Sequence, residues 1–431
     1  MDVNTIAILI LLFSFLGMIF LRFPVAYAVA LASVATLLYL GLPLRVIPQQ
    51  LVNGVSSFGL MAVPFFILMG NIMEGGGISQ KLIVLSNSIV GWMRGGLSMV
   101  NIVASFFFGA KSGSAAADTA SLGSILIPMM VDEGYDEGFT TAVTISSSLQ
   151  GLITPPSHNM IIYAMAAGGV SIASLFLAGY IPALMIAIMC MIVAYISAVK
   201  NQYPKGDKFN FKVMVKAFLD SLWALGAIIV VVFGVVTGVF TATESAAIAV
   251  LYSFFVSVFV YRGLKLKDLW KVMEKSIDTL ALVLVLIAAS SIFGFLLTIL
   301  NVPQMAAGLI LSLTHNPILI ALLILTIILT IGTVLDMAPK ILILTPILLP
   351  IANAIGIGNV QFGVIMVLAS GISLLTPPVG AVLFIGSAIA KTPIERVVKS
   401  LLPFYLGLFI ILLLVTFFPG VTLWIPTIFG G

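Results

Sequence analysis

The chain has 431 residues, 61% of them hydrophobic and only 8% charged, where a soluble globular protein carries about 25% charged residues. Its 19 basic and 15 acidic side chains cannot cover a water-facing surface of this size, which excludes a soluble enzyme. The net charge of +4 comes from basic residues set singly in loops, which argues against a nucleic-acid interface, and the one cysteine, Cys190, excludes a disulfide framework or a thiolate metal site.

A hydrocarbon core of about 30 Å takes about 20 apolar residues per helical crossing. The apolar runs here are long and continuous, not alternating, so they predict helices and not a barrel. In chain order, crossings are predicted over 3–21, 24–40, 56–73, 137–168, 172–199, 220–240, 244–261, 279–300, 360–390 and 402–419. The first follows the acidic Asp2 and has no small-residue cleavage site, so it reads as a retained span and not a signal peptide. Segments 78–94 and 303–315 are too short or too polar to cross and read as helices lying along the interface. Segments 97–131 and 317–351 are long enough to cross once, yet each is broken mid-way. The breaks are Gly109-Ala110-Lys111-Ser112-Gly113-Ser114 and Gly332-Thr333-Val334-Leu335-Asp336-Met337-Ala338-Pro339-Lys340. A lysine in the middle of a single span is costly, so each segment reads as a re-entrant hairpin with its tip near mid-membrane.

Thr154-Pro155-Pro156 recurs 222 residues later as Thr376-Pro377-Pro378. Pro128 and Pro350 share that offset, as do Gly41-Leu42-Pro43-Leu44-Arg45 and Gly263-Leu264-Lys265-Leu266-Lys267. Three matches at one offset predict two halves, 1–199 and 217–431, about a polar linker at 200–216. Each half holds five crossings and one hairpin, and an odd number of crossings turns the second half upside down. With the linker in the cytoplasm, 16 of the 19 basic residues fall on that side. Arg45 alone lies outside, and Lys111 and Lys340 fall at the tips. This is the positive-inside pattern, and it places both termini outside. The expected fold is an all-α polytopic membrane protein of two inverted repeats.

Inverted repeats with broken helices place transport sites at mid-membrane, where the halves meet. Two prolines in a row force a helix open and leave carbonyls of the preceding turn without donors. Such carbonyls are tolerated at membrane depth only in protein, along a cavity or on an ion, and hard cations prefer oxygen ligands. The first cation site is therefore expected from Ser112 and Ser114 at the tip, facing Gly151, Thr154 and Pro156. The second is expected from Gly332, Thr333 and Asp336, facing Gly371, Thr376 and Pro378. The bland alternative is that Pro-Pro is a kink and the hydroxyls are packing contacts. Asp336 is a carboxylate at a tip and reads as functional, the alternative being an ion pair with Lys340. Lys111 and Asp118 pose the same choice at the first tip. Ser157, His158 and Asn159 offer hydrogen bonds to a substrate, with His158 reading equally as a core histidine. Glu244, after Thr241, reads as a helix cap. Asp132, Glu133, Asp136 and Glu137 read as a solvated turn, and His315 as an interfacial loop residue. The chain has no nucleophile elbow, zinc motif or P-loop, so it is not expected to be an enzyme.

The stretch Phe106-Phe107-Phe108-Gly109-Ala110-Lys111-Ser112-Gly113-Ser114-Ala115-Ala116-Ala117-Asp118 is followed by Ile127-Pro128 and Leu152-Ile153-Thr154-Pro155-Pro156-Ser157. Together these resemble the large membrane subunit of the tripartite ATP-independent periplasmic (TRAP) transporters. Length, the two-half layout and the second Thr-Pro-Pro extend the resemblance over essentially the whole chain. The resemblance implies an elevator, in which a domain of hairpins and broken helices slides against a scaffold, with the interface helices as arms. It implies an inner-membrane location, a small four-helix membrane subunit, a periplasmic substrate-binding protein and import driven by Na⁺. The implied substrates are organic acids, sialic acid first and C4-dicarboxylates second. Because the chain starts at the large subunit's first span, the small subunit is expected as a separate chain. The family's ion pattern falls on the two residue sets above, although the second tip lacks Ser-Gly-Ser. The substrate is expected between the tips, near Ser114, Ser157, Asn159 and Asp336. Neither tip has an arginine to grip a carboxylate, so helix N-termini, hydroxyls or bound Na⁺ have to neutralise it.

Three other readings stay open at this point. A stand-alone carboxylate carrier needs no binding protein. An intramembrane enzyme would use Asp336 or His158. A passive channel would show flux without accumulation.

Overall fold

The computed structural model describes residues 3–21, 23–377 and 380–429, without the side chains of Phe58, Ala110, Lys111 and Ser112. The expectations placed on Asp2, Arg22 and Pro378, and on the Lys111 and Ser112 side chains, lie outside the described residues. Everything described is helix or connection: the protein is an all-α membrane protein.

Seven helices are long and apolar enough to cross a membrane, or eight if Val46–Val55 and Gly59–Gly75, bent by 59° to each other, count as one span. The other crossings expected from sequence are built from shorter pieces. Residues 24–40 form Val25–Tyr39, residues 137–168 form Glu137–Ser148, Gln150–Ile153 and His158–Ala166, and residues 360–390 form Asn359–Leu374 and Ala381–Ala390. The crossing expected over 220–240 is Phe211–Val236, and that over 402–419 is Ile394–Phe417, each starting earlier on a charged turn. Two further expectations are corrected. Val46–Val55 is a helix where the sequence predicts only a loop; it buries no residue of its own. Its Gly54 lies so close to Leu269–Ile299 that a Cβ there would come within 2.6 Å of the Ser291 side chain. The span predicted over 279–300 begins ten residues earlier, as the 31-residue helix Leu269–Ile299. Its first turns carry Lys271, Glu274, Lys275 and Asp278, which a search for apolar runs passes over.

Both hairpins form. The first has arms Gly96–Ser112 and Ala115–Asp132, and it turns at Gly113 (φ +62°), where the left-handed backbone favours glycine. The second has arms Pro317–Gly332 and Met337–Ala354. The two enter the molecule from opposite ends of one helix, Ile394–Phe417. At its start, Arg396 pairs with Asp136 at 2.6 Å and Glu137 at 3.1 Å, beside the open end of the first hairpin. At its end, the Val415 and Thr416 carbonyls accept from the Gln361 amide at 3.0 and 2.9 Å. Pro317 and Ile355–Ile357, at the open end of the second hairpin, close around Thr416 and Phe417. Arg396 and Thr416 are about 30 Å apart at 1.5 Å per residue.

The segments given cytoplasmic positions also meet one another. Arg94 donates to the Tyr203 carbonyl, Lys275 pairs with Glu74, Lys81 lies over the Tyr261 ring, and the Lys81 carbonyl accepts from Ser221. The helices Ile78–Val90 and Val302–Leu313 occupy the two segments expected along the interface. Glu244 is a cap as expected, in a reciprocal box with Thr241.

Close backbone packing outweighs surface charge in this fold. A Cβ on Gly109 would lie 2.3 Å from the Gly151 Cα, which has no free end to move aside. Gly109→Ala is expected to destabilise by about 1–3 kcal/mol. The Arg396 pairs are half exposed and screened by water, so Arg396→Ala is expected to lower the melting temperature much less than Gly109→Ala. Partial burial works against the Asp136 charge, but Arg396 and the Phe139 and Gly138 amides outweigh it and hold its pKa below the usual carboxylate value. The pairing is therefore fully present above that usual value and is lost as pH falls through the lowered one. Thermal unfolding of the detergent-purified variants, the arginine variant across pH 3 to 7, checks both expectations.

Candidate functional site

The site is built from two hairpin tips and two helix breaks. At the first tip, Ser114 leaves the helical conformation and caps the second arm, accepting from the Ala117 amide at 3.3 Å. At the second, Asp336 takes the same capping position 222 residues on, but its carboxylate makes no cap hydrogen bond and is exposed. Ser114 and Asp336 face one cavity of about 310 Å³. His158, Asn159, Glu74 and Lys275 also line it. The two tips, entering from opposite ends, thus end on a shared space.

Three of the four residues expected to touch substrate, Ser114, Asn159 and Asp336, lie on this cavity. The fourth, Ser157, does not: it is buried and its hydroxyl donates to the Leu152 carbonyl at 2.6 Å. Asn159 also braces the first tip, donating to the Gly113 carbonyl at 2.7 Å.

At the first break, Pro155 lacks the N–H that would bond the Gly151 carbonyl, and Pro156 lacks the one for Leu152. The Ser157 hydroxyl serves Leu152, so Gly151 keeps an accepting oxygen beside the hairpin. Gly109 and Gly151 touch backbone to backbone, which brings the tip helix against the break. The Thr154 hydroxyl is 1% exposed and has no hydrogen-bond partner among the described residues. Asp118, also buried, packs against Gly151: a Cβ there would lie 2.3 Å from its Oδ2. An accepting carbonyl and a partnerless buried hydroxyl beside the tip are oxygen donors of the kind that fits a hard cation. Of the residues expected there, Gly151, Thr154 and Pro156 lie together at the break and Ser114 at the facing tip.

The second expected set does not converge in this way. The Gly332 carbonyl accepts from Lys340, the Thr333 hydroxyl donates to Thr330, and the Thr376 hydroxyl donates to Ile372. Gly371 faces the side chains of Leu149 and Leu152. The Leu375 carbonyl, next to the break, accepts from the Tyr405 hydroxyl. The alternative ion pair between Asp336 and Lys340 does not form among the described residues.

A buried polar seam behind the first hairpin was not foreseen. Asn101 donates to Thr144 at 2.6 Å, Ser105 and Ser147 lie 2.9 Å apart, and the Gln150 amide reaches the Ile102 carbonyl. The hydroxyl run from Thr140 to Ser148 was its sequence signal.

Asn159→Leu removes the brace and leaves the Gly113 carbonyl unpaired. Such a loss costs about 1–3 kcal/mol, read as a lowered melting temperature of the purified protein.

The comparisons agree with this architecture. A family model described as tripartite ATP-independent periplasmic transporter, DctM component, matches residues 12–421. The chain is 41% identical to the uncharacterized protein YgiK of Salmonella typhimurium, covering 100% of both. It is 34% identical to the 2,3-diketo-L-gulonate TRAP transporter large permease protein YiaN of Escherichia coli, covering 96% of this chain and 97% of that one. It is also 34% identical to the sialic acid TRAP transporter large permease protein SiaM of Vibrio cholerae, covering 97% and 98%. Among solved structures, the YdaH transporter of Alcanivorax borkumensis superposes with a TM-score of 0.62 at 14% identity, over 88% of this chain and 89% of that one, which is a likeness of fold. The chain belongs to the DctM family of TRAP transporter large permeases, multi-pass membrane proteins that transport and do not catalyse.

Proposed function

We propose that this permease imports an organic acid across the bacterial inner membrane by an elevator movement coupled to Na⁺. The observation that carries the reading is the cavity shared by Ser114, Asn159 and Asp336, with a cation-compatible oxygen set at the first break beside it. Ser114, Gly151, Thr154 and Pro156, with Ser112, would hold Na⁺, whose charge offsets that of the acid. The resemblance across the chain supports a small four-helix subunit against the scaffold and a periplasmic binding protein as the donor of substrate. The basic residues supported by one end of the bundle argue for termini on the periplasmic side.

The cavity favours a polyhydroxylated acid. Asp336 and the Asn159 carbonyl accept hydrogen bonds from hydroxyls, and the one cation described on its wall, Lys275, is already paired with Glu74. Sialic acid is the first candidate, in keeping with SiaM and YiaN, whose named cargoes are both sugar-like acids. C4-dicarboxylates, with two carboxylates and no hydroxyl-rich face, come second.

Proteoliposomes with this chain, its small partner and an inward Na⁺ gradient should accumulate labelled sialic acid only when the binding protein is added. Uptake without the binding protein would favour a stand-alone carrier, and no uptake would move the assignment to dicarboxylates. Ser114→Ala and Asp336→Ala should each lower uptake by more than about tenfold, the factor set by 1.4 kcal/mol. Thr154→Val should keep the stability measured without Na⁺ but lose most of the Na⁺-induced rise in melting temperature, because only ligand binding to the folded state is removed.

A further inference from the structure

Lys340 is the largest charged side chain buried in the described structure, with no exposed surface. Its ammonium has three donors. They meet the Gly332 carbonyl at 3.3 Å, the Ser370 carbonyl at 2.8 Å and the Ser373 hydroxyl at 2.8 Å. Ser373 is itself fixed, donating to Ser370 at 2.6 Å. No carboxylate lies within ion-pair distance among the described residues. An ammonium in hydrocarbon is expensive to hold, and here the bonded oxygens of the second hairpin and its facing helix, with the Asp336 charge beyond ion-pair distance, offset that cost.

The repeat gives this arrangement a second meaning. At the offset of 222 residues, Lys340 corresponds to Asp118 and Ser373 to Gly151. In the first half Asp118 packs against Gly151, and in the second Lys340 bonds Ser373. The same two positions touch in both halves, but an anion stands in one and a cation in the other. Gly332 completes the cradle, since a Cβ there would fall 2.1 Å from the Ser373 hydroxyl.

We infer that the Lys340 ammonium is a built-in cation that fills the second half's counterpart of the first-half cation site, so that no Na⁺ binds there. This rests on the Na⁺-coupled reading proposed above. A Na⁺ on the same oxygens would sit within about 4 Å of the ammonium, where like charges repel strongly because little water screens them. The tip is thereby neutralised without a diffusible ion, and the transport cycle draws one fewer Na⁺ than two open sites would take. Lys340→Ala leaves the cradle oxygens facing a space the ammonium had filled.

The test is ²²Na⁺ binding to the full-length chain purified in detergent, with Lys340→Ala and Lys340→Ser, the second adding a hydroxyl in case the first does not fold. Each variant should bind one more Na⁺ per chain than the parent, and Ser373→Ala in the same background should remove it. If the parent binds Na⁺ and neither variant binds more, the Lys340 inference is overturned while the Na⁺-coupled reading stands. If the parent binds none and a variant binds one, the inference holds and the coupling falls. If none binds Na⁺, both fall. Reconstituted uptake should show the same gain as a Hill coefficient for Na⁺ higher by about one.

Discussion

Every break in a helix at membrane depth must find partners for its backbone inside the protein, because hydrocarbon offers none. This constraint organises the molecule. It explains why the hairpin tips press against the Thr-Pro-Pro breaks, why glycines stand where backbones touch, and why a serine two residues after Pro155 turns back to the Leu152 carbonyl. Where the protein supplies a donor, the break is inert. At the Gly151 carbonyl the residue four on is a proline, so the donor of a regular helix is missing there.

The two halves answer the same need differently. In the first, the Gly151 carbonyl, the Thr154 hydroxyl and the Asp118 carboxylate lie at the break. In the second, a lysine from the hairpin arm reaches across to the facing helix and closes the gap with its own charge. At one offset of 222 residues, Asp118 packs against Gly151 and Lys340 bonds Ser373, so groups of opposite sign make the two contacts.

Much of this was legible in the sequence. The hairpins showed because a lysine interrupts each apolar run, and the breaks showed because adjacent prolines leave a helix few options. Ser114, Asn159 and Asp336, singled out by their proximity to those breaks, lie on one cavity. Other features were hidden for physical reasons. The helix Val46–Val55 contains Pro48, Gly54 and several amides, and it exists through packing against a distant helix, not through propensity. The polar start of Leu269–Ile299 carries charges that an apolar search excludes. Lys340 was the hardest. Four residues from Asp336, it has the spacing of a helical ion pair, yet its long stem lets it choose partners 30 and 33 residues away that no local pattern announces.

The helix Leu269–Ile299 bears on how the cavity is reached. At 1.5 Å per residue its 31 residues run about 46 Å, well beyond a hydrocarbon core of about 30 Å. The cavity touches it at Lys275, Thr279, Leu282 and Val283, all in its first half and next to its charged turns. Beyond Val283, about 24 Å of helix remains before Ile299. The cavity therefore lies toward the charged end of this helix, with most of the helix's apolar length on the far side of the site.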